Sequence, residues 1–431
     1  MRRYRVTDTT STAAQNARAA TRAQQARYQP LRADVLTDPY PAYAHLRRES
    51  PVLWDLRFGW LVFGFDGVAG GLRNPRLSAR RPGPGDPIPR ILQSVVDEVR
   101  YVRSVQGQWL LCADPPRHTR LRAALGPAFS PRSAEDLRVR IESLVDDLLD
   151  RVAATERFDV IADLAYPLPA TIIAELLGVP IGDLDRFKCW SDDIAGSFTL
   201  SPETMHRAHD ALRELTAYVA DLATPQVVDH GLLSIAHGHG TAPELDHDEL
   251  VAQSVMLLFA GHETTTNLIG NGILALLRHP TQRERLRSEP RLIGSAVEEL
   301  LRFDSPTQAT FRSVAEDFEL HGQSLRKSEP VLLMLGSANH DPSQFIDPDV
   351  LDITRADNRH LAFSQGPHFC LGAALARLEG QIAIGRTIQR FPELQLADDP
   401  PTWRPNVFLR GLESLNVTIS STRTQSPTTR S

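Results

Sequence analysis

Phe363-Ser364-Gln365-Gly366-Pro367-His368-Phe369-Cys370-Leu371-Gly372 is a turn-rich run that delivers a cysteine to the start of a helical pattern over residues 371–391. A sulfur at a helix start meets unpaired N–H groups and the positive end of the helix dipole. Both favour thiolate over thiol. Gly366 permits the turn, and Gly372 lets the helix start approach a flat group closely. A lone cysteine is usually a small buried hydrophobe; the ten-residue context of Cys370 points to a ligand instead.

Upstream lies one long helical signal. Asp246 and Glu249 look like a capping pair, and an apolar pattern then runs over residues 250–277 and stops before Pro280. About 30 residues in one helix span roughly 45 Å, so this helix is expected to cross the core. Its middle reads Ala260-Gly261-His262-Glu263-Thr264-Thr265-Thr266-Asn267, a polar insert in an apolar rod. Burying such groups costs free energy unless they are paired or used. That makes the insert a functional candidate. Threonines bonded to their own helix backbone are the plainer alternative.

Two further patterns are weak by themselves. Glu299 and Arg302 share a helix face at i, i+3 and can form a charge-assisted pair. In Asp114-Pro115-Pro116-Arg117-His118-Thr119-Arg120-Leu121-Arg122, His118 and Arg122 lie four apart on one face, with Arg117 and Arg120 facing outward. Elsewhere, residues 34–49 read as a helix and 51–66 as a short hairpin. Residues 80–90, with Pro82, Pro84, Pro87 and Pro89, read as irregular, and 131–223 as amphipathic helices. His237 and His239, with His230 and His247 nearby, stand in loop-like sequence and are read as loop residues rather than a metal site.

Composition narrows the function classes. With 42% hydrophobic and 23% charged residues, the chain can bury a sizeable core. Its net charge of −6 is uneven: residues 1–27 carry six arginines against Asp8, a local +5, which leaves −11 for the rest. That acidic body, without a basic strip interleaved with aromatics, argues against nucleic-acid binding. No run of 18 apolar residues is present to span a membrane. Cys112, Cys189 and Cys370 are odd in number and far apart, which argues against a disulfide framework and for a reducing, cytoplasmic compartment.

Jointly, these motifs resemble the cytochrome P450 family, in the family's order over about residues 30–420. The Cys370 loop is similar to the family's haem-binding segment, Phe-Gly-x-Gly-x-His/Arg-x-Cys-x-Gly, with Ser364 where glycine is usual. The resemblance implies a mainly α fold with a small β region. One catalytic domain, 28–420, would lie between a flexible basic tail, 1–27, and a flexible C-terminal tail, 421–431. Haem b (iron protoporphyrin IX) would sit between the long helix and the loop, with Cys370 as axial ligand to the iron. Phe363, Gly366, Gly372, Ala260 and Gly261 would border it, and His118, Arg122, Arg312 and His368 would bind its propionates. A break in helical hydrogen bonding beside Gly261 would make room for dioxygen, and Glu263 and Thr264 would be the catalytic acid–alcohol pair. Glu299, Arg302 and Arg355 would form a buried structural network, with His340 standing where arginine is common.

The implied activity is insertion of one atom of O2 into a C–H or C=C bond of a largely apolar organic substrate, a natural-product intermediate by the soft criterion of an Arg- and Ala-rich bacterial-type composition. Leu257, Thr307, Gln308, Thr310, Val407 and Phe408 would line its pocket, Gln308 as a polar anchor. Electrons would come from a separate ferredoxin and ferredoxin reductase, and the protein would act as a monomer. Oxidative coupling and peroxide-driven turnover are rival chemistries on the same scaffold. A haem-binding sensor without catalysis is the rival of a different class.

Overall fold

The Asp246 carboxylate opens the helix on which the fold is built. Its Oδ1 accepts the Glu249 N–H at 2.8 Å, satisfying one of the open donors of the first turn. The helix then runs over His247–Arg278, 32 residues, about 48 Å at 1.5 Å per residue. Glu249 does not reach back to the cap; its carboxylate takes Arg120 at 2.9 Å instead. This computed structural model describes residues 28–199, 201–223 and 243–419. Both expected tails, and the loop with His230, His237 and His239, lie outside the described residues. No helix among the described residues is long and apolar enough to cross a membrane.

Six helices position the site: α1 (Arg117–Leu125), α2 (Pro167–Leu177), α3 (Leu184–Gly196), α4 (His247–Arg278), α5 (Ile293–Phe303) and α6 (Ala373–Arg390). The long α4 joins two apolar cores. Leu250, Val255 and Leu258 pack in one, with Leu110, Trp190 and Leu212. Ile269, Ile273 and Leu276 pack in the other, with Leu149, Leu300 and Ile384. Each such side chain contributes roughly 1.5–3 kcal/mol on burial. The polar insert of α4 falls between the two cores: Ala260, Gly261, Glu263, Thr264 and Thr265 border a cavity, while His262, Thr266 and Asn267 are buried, His262 against Tyr166.

A small mixed sheet flanks this body. Its strands are β1 (Val52–Asp55), β2 (Gly59–Val62), β3 (Leu77–Ser78), β4 (Thr310–Val314) and β5 (Pro330–Leu333), in the order β1-β2-β5-β4-β3. β1 and β2 are the expected hairpin, and β2 runs parallel to β5 with Leu61 opposite Leu332. Because strand side chains alternate, Thr310 and Arg312 share the face of β4 that meets the cavity. The helix expected over 34–49 is two, Ala33–Thr37 and Tyr40–Glu49, divided at Asp38-Pro39, where the residue before a proline resists the helical conformation.

The Glu299–Arg302 pair is fully buried, with no side-chain exposure on either partner. Arg302 grips both Glu299 oxygens at 2.8 Å and donates to the carbonyls of Asn339 and Pro348. Arg355 Nε adds a third cationic contact to Glu299 at 3.0 Å. His340, the departure in this region, stays out of the network. It stacks on Tyr40 at 3.9 Å and faces the Phe303 carbonyl and Asp349.

Candidate active site

The Cys370 loop is closed by two backbone bonds, Phe369 N–H to Gly366 C=O at 3.0 Å and Cys370 N–H to Phe363 C=O at 2.9 Å. Gly366 has φ +70°, and a Cβ there would stand 3.1 Å from the Leu72 carbonyl, so glycine alone fits both the turn and the neighbour. Ser364 also has positive φ, 62°, a conformation that costs an L side chain about 1 kcal/mol or more. That is a physical reason for glycine at its place. α6 begins at Ala373 with Gly372 as cap, two residues later than expected, so Cys370 precedes the first turn. Burial pushes the Cys370 thiol up, against the Gly372 N–H, Arg122 and Arg377, which pull it down. Burial and the helix end thus act on this sulfur in opposite directions.

Cys370 borders a cavity of about 310 Å³ whose other walls include Ala260, Gly261, Glu263 and Thr264 of α4. The helix is unbroken through this insert, contrary to the expected interruption beside Gly261. Glycine serves packing instead: a Cβ at Gly261 would meet Ile173 of α2 at 2.9 Å. The Thr264 hydroxyl donates to the Ala260 carbonyl at 3.3 Å, long enough to be given up easily. Glu263 meets Arg404 at 3.2 and 3.3 Å, and Arg404 meets Asp192 of α3 at 2.8 Å. Side-chain exposure along this chain of charges rises from 5% at Glu263 through 19% at Arg404 to 38% at Asp192, a polar route from cavity to solvent.

A cationic corner occupies another part of the wall. His118 and His368 have ring centres 4.2 Å apart, with Arg122 and Arg312 beside them in the cavity lining. Among the described residues neither arginine forms an ion pair. Burial drives His368 down to about 3, with Arg312 and His118 adding to it. Burial likewise lowers Arg312 to about 10. His118 Nε2 is buried without a partner. Such a corner is unfavourable until anions enter it. At Gly372 the nearest atom to an added Cβ is Phe129 Cδ1 at 4.0 Å, so space is open beside the cysteine. A flat group with an iron at its centre and carboxylates at its edge fits these residues.

A family model described as "Cytochrome P450" matches residues 223–414. The "Biotin biosynthesis cytochrome P450" of Bacillus subtilis is 38% identical over 393 residues, 90% of this chain and 97% of that protein. The "6-deoxyerythronolide B hydroxylase" of Saccharopolyspora erythraea is 37% identical over 397 residues, 89% of this chain and 96% of that one. The chain belongs to the cytochrome P450 family. A crystal structure of P450BioI with a hexadec-9Z-enoic acid-ligated acyl carrier protein has the same fold, with a TM-score of 0.83 and 39% identity over 89% of this chain and 99% of that one. This P450 is accordingly a haem-iron monooxygenase, an enzyme that inserts one atom of dioxygen into an organic substrate.

In this P450 the sequence-expected pocket residues are gathered unevenly. Leu257, Thr307, Thr310 and Phe408 border the cavity, as do Phe363 and His368. Gln308 and Val407 do not. Gln308 is buried behind the wall, accepting from the Tyr43 hydroxyl at 3.0 Å and donating to the Ser305 carbonyl at 2.8 Å, so it has no polar atom to spare for a substrate. Val407 is buried, 3% exposed, on the far side of the same loop. Arg117 and Arg120 are at the surface but engaged, with Gln108 and Glu249.

Sequence reading missed Arg404, which is 141 residues from Glu263, and also Glu379 of α6. Glu379 borders the cavity at 1% exposure, with Oε1 unpartnered among the described residues. Burial pushes its carboxyl up to about 8, against a Thr265 hydrogen bond that lowers it. The folded chain thus holds a proton that the unfolded chain releases between about pH 4.5 and 8, so stability falls as pH rises through that window. Glu379→Gln removes the dependence: at pH 8 it is expected to be more stable than the parent by roughly 1–3 kcal/mol, and near pH 5 about equal. Thermal unfolding of both proteins at the two pH values measures this.

Proposed function

We propose that this P450 oxygenates a largely apolar natural-product intermediate with haem b as its cofactor, whose iron the Cys370 sulfur would hold. The observation that carries the reading is a single cavity bordered by Cys370, by Glu263 and Thr264, and by an otherwise apolar wall. His118, Arg122, Arg312 and His368 would hold the haem propionates, and the burial of these residues without an anion is otherwise costly. Phe363 and Gly366 shape the ligand loop, and Gly372 leaves room at its end. The bound haem supplies dioxygen reduction, drawing two electrons that we assign to a separate ferredoxin and its reductase.

The chain's own part is proton control and orientation. Glu263, held by Arg404 on the side that leads to Asp192 and solvent, exchanges protons with water there, and the Thr264 hydroxyl passes them into the cavity once it leaves the Ala260 carbonyl. Leu257, Thr310 and Phe408 hold the substrate body and exclude water. The 6-deoxyerythronolide B hydroxylase relative and the carrier-bound fatty acid of the P450BioI structure support an apolar substrate of this kind. We place this P450 in the cytoplasm, a compartment that its three free cysteines fit, and take it to act as a monomer.

Thr264→Ala tests the proton route. Reductant and dioxygen are expected to be consumed as before while product falls by about tenfold or more, the remainder leaving as peroxide. Equal loss of product and of reductant use, or no loss of either, contradicts it. Peroxide alone supporting full turnover would favour the peroxygenase alternative.

A further inference from the structure

The cavity holds more cationic charge than the cofactor can neutralise. Arg81, Arg122 and Arg312 all border it, and among the described residues none of the three forms an ion pair. Haem b brings two propionates. His118 and His368 stand with Arg122 and Arg312, so one guanidinium, Arg81, is left over. Among the described residues the two carboxyls bordering the cavity cannot serve it: Glu263 is taken by Arg404, and burial raises the carboxyl of Glu379 and so favours its protonated form.

Arg81 is held rather than loose. It belongs to the proline-rich segment after β3, and Arg103 fixes that segment by donating to the Gly83 and Asp86 carbonyls. The guanidinium lies over the Phe198 ring at 5.1 Å, a stacking that orients its flat donor edge. Its NH1 meets Gln106 Oε1 at 3.3 Å. Gln106 is 5% exposed, and its Nε2 is a buried donor without a partner among the described residues. Gln106 thus steadies the guanidinium from behind the cavity wall, and the fork of charged donors that borders the cavity has no anionic acceptor among the described residues. Leading away from this spot, Phe198 contacts Phe259 and Phe408, with ring centres 6.2 and 5.4 Å apart, an aromatic wall continuous with Leu257.

We propose that Arg81, oriented by Phe198 and supported by Gln106, binds a carboxylate carried by the substrate, whose apolar body lies along Phe259 and Phe408. This rests on the haem-containing reading above and narrows it: the substrate is an organic acid with its charge remote from the oxidised carbon. A charged head anchored in a wall of aromatic rings fixes the register of a flexible apolar body, which a purely apolar wall cannot do. The propionates could compete for the same guanidinium, and the experiment separates the two sources of carboxylate.

Purified ferric holoprotein is titrated in the Soret region with a series of straight-chain and aryl-substituted carboxylic acids and with their methyl esters. Parent, Arg81→Gln and Arg81→Lys are compared at equal haem content. The parent is expected to bind the best acid roughly tenfold or more tightly than its ester, the worth of one charge-assisted hydrogen bond. Arg81→Gln should lose that preference while keeping its haem and its ester affinity, and Arg81→Lys should keep part of it. Equal affinity for acid and ester in the parent, failure of every acid to bind, or an undiminished preference in Arg81→Gln overturns the proposal. So does loss of haem from Arg81→Gln, which would make Arg81 a propionate ligand. Failure of the haem reading itself is visible earlier, in the spectrum before any acid is added.

Discussion

Glu299→Ala is expected to destabilise the folded chain by about 3–5 kcal/mol, a large share of the stability of an ordinary domain. The reason is what it leaves behind. Arg302 has no side-chain exposure, and of its partners only Glu299 carries charge; the rest are the carbonyls of Asn339, Pro348 and Val350. Without Glu299 the guanidinium remains buried with dipoles alone to offset it. Arg355 loses the same partner, as do the Asp352 N–H and the Asn358 amide. These groups tie the end of α5 to residues 339–358, on which the Cys370 loop follows. Glu299→Gln keeps the acceptor and the shape without the charge and should lie between parent and alanine variant. Arg138→Ala, which breaks only exposed pairs with Glu135 and Glu142, should cost less than about 1 kcal/mol. Chemical denaturation of the four proteins measures the order, and an alanine variant at Glu299 no worse than that at Arg138 contradicts the network's role.

The second large effect belongs to Cys370→Ser. Serine is nearly the same size, and the loop is closed by backbone bonds and by Arg377 over the Phe363 ring at 4.5 Å. The fold should therefore survive, with unfolding within about 1 kcal/mol of the parent. Chemistry should not. An oxygen ligand donates less electron density than a thiolate, the property that favours O–O cleavage. Turnover is expected to fall by two orders of magnitude or more, about 2.7 kcal/mol in barrier. The carbon monoxide complex of the reduced protein should lose the red-shifted Soret band of thiolate ligation. Retention of that band in the serine variant would mean that another residue holds the iron.

The fold was legible wherever one local pattern decided one element. The cap at Asp246 and the apolar pattern on both sides of the polar insert announced α4, and the Val52–Val62 alternation announced the hairpin. The ligand loop was legible because glycine, proline and cysteine at fixed spacing leave few backbone choices. What was not legible depended on atoms far apart in sequence. The role of Gly261 turns on Ile173, which no local pattern links to it, so a packing contact was read as a helix break. Gln308 looked like a pocket anchor because its segment lines the cavity, but the hydroxyl of Tyr43 and the Ser305 carbonyl draw its side chain backward. The helix end near Cys370 was legible in the sequence, whereas the burial that opposes its pull on the sulfur was not. Glu379 sat unremarked in an ordinary helical pattern, its meaning set by burial alone.

The measurement that bears most directly on the account is a Soret-region spectrum and titration of the purified ferric protein with apolar, natural-product-like compounds. The account predicts the spectrum of a low-spin, thiolate-bound haem that some compounds convert to high spin as they enter the cavity beside Thr264. A protein that takes up no haem when supplied with it, or that binds haem without a thiolate signature, would contradict the assignment of Cys370 and the function built on it.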